Sequence, residues 1–437
     1  MRLVHVVRPT LVVMIFLVMM IVPTGTATAQ ETLTLEDAIA RGLRHSARLA
    51  ELQARQEGAA AIQAGRTAAK LPIVSAQAGY TRTNHVDPYA ILAPGQGLRV
   101  LYPDVPNNYR ARLDLQWPIY TWGRADALER AAAAETQASA EDLAAARADL
   151  VLEITRAYWA VVTARETERV LGGAVRSLDA HVADLKTRLD QGLISPNELL
   201  SAQAQRSRER VAAIEADATR QTAEADLRRL IGGDGPIQLA DVGAGAESAT
   251  PDVPLARPER RALDQRLQAA REREGAVRAG GKPQIFVGGG YDYARPNPRI
   301  FPRVDTWENS WDASVNLSWT LWDGGRRASE QAEAAALARA VSARIDEFDR
   351  QVSFELQARR LEMTSSRAAI GAAQEGIEAA VEARRVIAER YRAGVATSTE
   401  VLDSEVAVLQ AELDRTRAVA SLRLAEARLA RASGTAR

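Results

Sequence analysis

The sequence predicts a mixed α and β chain in which one unit of about 200 residues, two strands followed by a long α-hairpin, occurs twice. Three observations predict it. WPIYTWGR at 117–124 returns as WTLWDGGR at 319–326, and GLISPNE at 192–198 returns as GVATSTE at 394–400, both at an offset of 202 (117 to 319, 192 to 394). Apolar residues alternate before the first motif of each pair and recur at helical spacing after it. The stretches 124–189 and 326–391 contain no proline. Two marks roughly 75 residues apart hold a common offset only without net insertion, which a continuous helix achieves easily and a loop-rich fold does not.

The N-terminus stands apart. Arg2 and Arg8 precede an apolar run at 11–22, and Ala27, Thr28 and Ala29 supply small residues before Gln30. Residues 1–29 therefore read as a secretory signal peptide, because the run is short of the about 20 residues that span a bilayer. Cysteine is absent from the chain, which removes disulfides, thiolate metal sites, cysteine nucleophiles and a lipid anchor on an N-terminal cysteine together.

Formal charges balance at 56 against 56, and loss of Arg2 and Arg8 with the signal leaves 54 against 56. The arginines alternate with Asp and Glu along helices and form no basic block, so no nucleic acid is expected. The four histidines, His5, His45, His85 and His181, show no metal-binding spacing, and there is no Gly-x-Ser-x-Gly. Gly288, Gly289 and Gly290 lie in a strand pattern with no helix start behind them, so they are no phosphate loop. No enzyme activity, cofactor or metal is expected.

The elements follow in order. Thr34 and Asp37 form a weak capping box that opens the first helix. Strands are expected at about 72–83, 109–119, 283–293 and 311–321 from the period-two pattern. Tyr109, Ala111, Leu113, Leu115 and Trp117 alternate with Arg110, Arg112, Asp114 and Gln116, and Trp311, Ala313, Val315, Leu317 and Trp319 with Asp312, Ser314, Asn316 and Ser318. The first strand of each pair is joined to the second by a proline-containing loop, and the first loop is longer by nine, since Tyr80 and Tyr291 are offset by 211. Strands of about ten residues with aromatics near their ends suit a bilayer crossing. Four strands cannot close a barrel, and an open edge cannot sit in lipid, so either the strands are not in a membrane or several chains share one barrel.

Each long helix carries a heptad seam near its end: Leu171, Val175, Leu178, Val182, Leu185 and Leu189 in the first copy, and Ala373, Ile377, Ala380, Arg384, Ile387 and Tyr391 in the second, where Arg384 interrupts it. Capping boxes then start the returning helices, with Ser195 at N-cap and Glu198 at N3, and Thr397 at N-cap and Glu400 at N3. The chain divides into a first repeat at 30–232, a Gly/Pro/Ala/Asp-rich linker at 233–256 and a second repeat at 257–437, whose first helix opens at Pro258.

This duplicated order, with Trp-x-x-[Tyr/Trp]-x-x-Gly-Arg closing each strand pair, resembles the TolC-type outer-membrane efflux proteins over residues 31–435. The resemblance implies a homotrimer. Three chains would form one 12-stranded transmembrane β-barrel in outer-membrane lipid and a trimeric α-helical barrel reaching through the periplasm of a Gram-negative type envelope. It further implies an exit duct in a tripartite efflux or type I secretion system, fed by an inner-membrane pump of RND or ABC type through a periplasmic adaptor. In the family the tip carries an acidic ring and inter-helix links. The ring maps to Glu400 and Asp403, and the links to Glu198, Asn197 and Tyr391. The family's arginine at the second turn is Ala396 here, and Arg188 and Arg392 are the nearby arginines. Capping alone would account for Glu198 and Glu400, and seam packing for Tyr391. A soluble periplasmic coiled-coil scaffold is the alternative reading of the whole chain.

Overall fold

The computed structural model describes residues 32–435 except 96, 234, 236 and 241–256, so the signal peptide and most of the linker lie outside the described residues. The elements run α1 Leu35–His45, α2 Ala47–Ala68, β1 Ile73–Arg82, β2 Tyr89–Ala93, β3 Gly97–Tyr102, β4 Asn107–Tyr120, α3 Arg124–Asp190, α4 Pro196–Ile231, α5 Pro258–Ala279, β5 Gln284–Arg295, β6 Glu308–Ser318, α6 Arg326–Arg392 and α7 Ser398–Ser433. The duplication is quantitative. α3 and α6 are 67 residues each, and α4 and α7 are 36 each. At 1.5 Å per residue the long helices span about 100 Å.

β1, β4, β5 and β6 form one antiparallel sheet in that order, which joins the two repeats through the β4–β5 pair. β1 and β6 are its open edges. Two expectations need correction here. The loop at 83–108 contains a second, two-stranded sheet, β2 with β3, so among the described residues the chain has six strands rather than four. Its apolar residues lie between prolines and were absorbed into the loop by that punctuation. β6 also starts and ends three residues before the expected 311–321, because Glu308 pairs with Ala294 and Ser318 already meets Gln284 at the start of β5.

The strand-to-helix motif has a mechanical reading. Gly123 and Gly325, the N-cap residues of α3 and α6, sit at φ 79° and 89°, a left-handed conformation that costs glycine least. Beside them the Thr121 hydroxyl accepts from Ala125 N–H at 3.2 Å and the Asp323 carboxylate from Arg327 N–H at 3.3 Å. The indole N–H of Trp117 donates to the Lys70 carbonyl at 3.1 Å, and Trp319 does the same to Gly281 at 3.2 Å. Each tryptophan thereby ties the end of one strand to the loop that begins its partner. Indole rings serve there because they present an apolar body with one donor at the edge.

At the far ends of α3 and α6, Gly192 and Gly394 adopt φ 73° and 74°. Leu193 N–H bonds Arg188 O and Val395 N–H bonds Arg390 O, both at 2.9 Å, the 6→1 closure of a Schellman stop. The returning helices then start differently. Thr397 and Glu400 close a reciprocal capping box, whereas Ser195 makes no side-chain cap bond. That corrects the expected box at Glu198: Pro196 at N1 has no N–H, and Glu198 N–H bonds the Ser195 carbonyl at 3.2 Å instead. The N-terminal helix is likewise broken once, at Ser46, whose hydroxyl accepts from Leu49 N–H and caps α2.

The main core lies midway along α3. Ile154, Tyr158 and Val161 pack with Ala38 of α1, Leu227 and Ile231 of α4, and Leu33, which bridges Leu239 in parallel. Gly42 lets α1 approach closely, since a Cβ there would lie 3.3 Å from the Leu230 carbonyl and closer still to Ile154. Where the heptad seams meet, Leu178, Val182 and Leu185 bury against Ala202 and Leu402. Arg384, the residue that interrupts the second seam, is half-buried and pairs with Glu405 of α7 at 3.4 Å.

Candidate pore tip and lumen wall

At the tip, the turns 191–195 and 393–397 bring the starts of α4 and α7 beside the ends of α3 and α6. Glu400 is exposed and spends one carboxylate oxygen on its cap, accepting from Thr397 N–H at 2.6 Å and from its hydroxyl at 3.1 Å. Those bonds, the backbone amide first, hold its pKa below the usual glutamate value, so it stays ionised at neutral pH. Asp403 follows three residues later on the same helix face, exposed and without a hydrogen-bond or ion-pair partner among the described residues.

Asn197 is exposed and Glu198 half-buried. Neither hydrogen-bonds the Tyr391 hydroxyl. The Tyr391 hydroxyl is buried with no hydrogen-bond partner among the described residues, and burial raises its pKa. Its ring instead packs edge-on to His181 at 5.9 Å between centroids, with the Arg188 guanidinium 4.8 Å above its centre. Arg188 also pairs with Asp184 at 2.9 Å, whereas Arg392 is exposed.

His181 is the residue that sequence reasoning set aside. Its Nε2 lies 3.0 Å from the hydroxyl of Ser398, the buried first residue of α7, so it joins the first hairpin to the second. Its repeat counterpart is Ala383, so the duplication carried no signal for it. Burial lowers its pKa below the ordinary histidine value, with Asp184 and Glu405 opposing and Arg188 assisting. The packed tip thus prefers neutral imidazole. That preference costs nothing above pH about 6.5 and weakens the contact as pH falls below it, because the unpacked state takes up the proton first. Amide exchange at residues 178–185 and 398–405, corrected for its intrinsic pH dependence, should be faster at about pH 5.5 than at about pH 7.5, and His181→Gln should remove the difference. Identical acid acceleration in the variant would place the titrating group elsewhere.

On the sheet, the polar face carries a compensated charge network. Arg110 pairs with Asp292 at 2.6 Å, Arg112 with Asp114 at 2.6 Å, with Asp292 and with Asp312 at 3.3 Å, and Arg299 from the β5–β6 loop with Asp312 at 2.9 Å. Gly290 clears the way for it: a Cβ at 290 would stand 2.7 Å from the Asp312 carboxylate and collide with Arg112. The opposite face is apolar and exposed, with Leu113, Val315 and Trp311 among its residues. At one end of that face Tyr80, Tyr109, Trp307 and Tyr293 form a continuous aromatic row. Among the described residues no helix is long and apolar enough to cross a membrane, and no cluster suits a metal ion.

The outer membrane efflux protein profile matches residues 38–233 and 254–435, most of the chain. The chain belongs to the outer membrane efflux protein family. This family member is 27% identical over 388 residues to Protein CyaE of Bordetella pertussis, covering 81% of this chain and 79% of that one. Its fold is similar to a membrane protein of Pseudomonas aeruginosa (TM-score 0.79, 22% identity, 92% of this chain and 93% of that one). It is equally similar to the Campylobacter jejuni CmeC outer membrane channel (TM-score 0.79, 19% identity, 92% and 86%). This efflux-family chain is therefore an outer-membrane protein with a periplasmic extension, and an exposed apolar sheet face suits contact with lipid. The soluble-scaffold alternative falls with that assignment.

Proposed function

We propose that three copies of the chain assemble into one exit duct, passing substrates from an inner-membrane pump of RND or ABC type, through a periplasmic adaptor, to the exterior. The observation that carries this reading is the four-stranded sheet with an apolar face and two unpaired edges, β1 and β6. In hydrocarbon an unpaired edge leaves its N–H and C=O groups without partners, at several kcal/mol each. Pairing β6 of one copy with β1 of the next removes every edge, and three copies give twelve strands. Continued below the membrane, the α3–α4 and α6–α7 hairpins of three copies make a helical barrel whose tip gathers Glu400 and Asp403 on the axis, with Asn197, Glu198 and Tyr391 at the contacts between hairpins.

Mass determination in detergent should return three chains. A stable folded monomer there would overturn the shared barrel.

A further inference from the structure

The β2–β3 hairpin has no role in the duct as described. A short hydrogen-bonded stem joins it to the end of the β1–β4 ladder at Arg82 and Asn107. Thr83 N–H bonds the Pro106 carbonyl at 2.9 Å, His85 meets Asp104 at 2.6 Å, and Val86 N–H bonds the same carboxylate at 3.2 Å. Beyond this stem, Ala90 faces Val100 and Leu92 faces Leu98 across the strands, which puts the four on one face of the hairpin. Leu92 and Leu98 are 79% and 72% exposed.

Two contacts show which way the hairpin leans. Arg303 of the β5–β6 loop donates its backbone N–H to Leu101 O at 3.3 Å and holds its guanidinium 4.5 Å from the centre of the Tyr102 ring. That loop itself folds over the polar side of the sheet, where Arg299 reaches Asp312. Arg303 and Pro298 there roof a cavity of about 320 Å³ walled by Gln77, Thr81, Arg110 and Arg112. The hairpin is thus tied to the lumen side, past the row of Tyr80, Tyr109, Tyr293 and Trp307, where there is no lipid to cover its leucines.

We propose that the β2–β3 hairpin is a lid over the outer mouth of the duct, its apolar face of Ala90, Leu92, Leu98 and Val100 covered by the same hairpin of the neighbouring copies. The inference rests on the three-copy reading. Three identical apolar faces leaning over one lumen meet around the axis, and self-contact is the closure that cyclic symmetry supplies. Burying the leucines drives closure without any directional bond, so cargo arriving from inside can part the lid, while polar solutes outside meet an apolar plug.

Because the chain has no cysteine, Leu98→Cys introduces a single thiol. A disulfide requires Cα atoms within about 7 Å. Oxidation in outer membranes should convert up to about two thirds of the chains to covalent dimers, since only two of three thiols can pair, whereas Leu113→Cys on the lipid face should give none. In a second arm, Gln116→Cys in the lumen is labelled by a polymer-linked maleimide added outside intact cells. Adding Leu92→Glu and Leu98→Glu should accelerate that labelling severalfold. A three-chain mass in detergent with no dimer, or labelling that the glutamates leave unchanged, overturns the lid and leaves the duct standing. A one-chain mass overturns the three-copy reading, and the lid with it.

Discussion

Arginine at Leu113 or Val315 should cost the inserted protein about 2–4 kcal/mol if the site lies near the bilayer midplane, whereas arginine at Gln116 or Ser314 should be tolerated. The contrast follows from the pleat. Leu113 sits between Ala76 of β1 and Tyr291 of β5, and Val315 opposite Val287, all on the apolar face. Gln116 and Ser314 project to the side where Arg112, Asp114, Asp292 and Asp312 already balance one another. A guanidinium there finds carboxylates and water. On the other face it finds acyl chains, and burying an unpaired charge dominates every other change the substitution makes. Equilibrium unfolding from lipid vesicles reads the difference directly, and equal costs on the two faces would show that the face assignment is wrong.

The second large effect is expected at the tip. Removing both Glu400 and Asp403 should lower cation over anion selectivity in planar-bilayer recordings and weaken block by divalent and trivalent cations, with assembly retained. In the proposed trimer the pair would bring up to six carboxylates to one axis, and like charges so crowded would raise one another's pKa and draw multivalent cations. Within one chain the opposing influence is local. The Thr397 amide and hydroxyl lower the Glu400 pKa and so oppose that rise at this position. Alanine at 400 also opens the capping box by removing the acceptor of the Thr397 N–H, which would confuse a gating effect with fraying of α7. Glu400→Gln with Asp403→Asn avoids this, because glutamine at N3 still closes a capping box. Selectivity and block that survive in both double variants would leave Glu400 as a cap and Asp403 as surface charge.

The duplication, the two long helices, the four sheet strands and the apolar/polar alternation were legible because each is a periodic property of local sequence, and periodicity survives without knowledge of partners. The seam at Leu178, Val182 and Leu185 was legible for the same reason, and these residues are buried in the structure. The β2–β3 hairpin was not, because its short strands lie among prolines that mark a loop equally well. The incomplete cap at Ser195 was missed because a capping box is a sequence pattern, while its closure depends on where Pro196 directs the backbone.

What the sequence determined by itself is therefore the long helices, the four strands of the main sheet and which face of each strand is apolar, since these depend on residues within a few turns of one another. Only the tertiary structure decided the partners. Trp117 and Trp319 read as interfacial aromatics and prove to be donors to carbonyls in distant loops. His181, one of four scattered histidines, lies against Ser398 and Tyr391 of the other repeat, 217 residues from the first of them. Such contacts join residues that share no period, and their energy depends on distance and burial in three dimensions, which the order of residues along the chain does not encode locally.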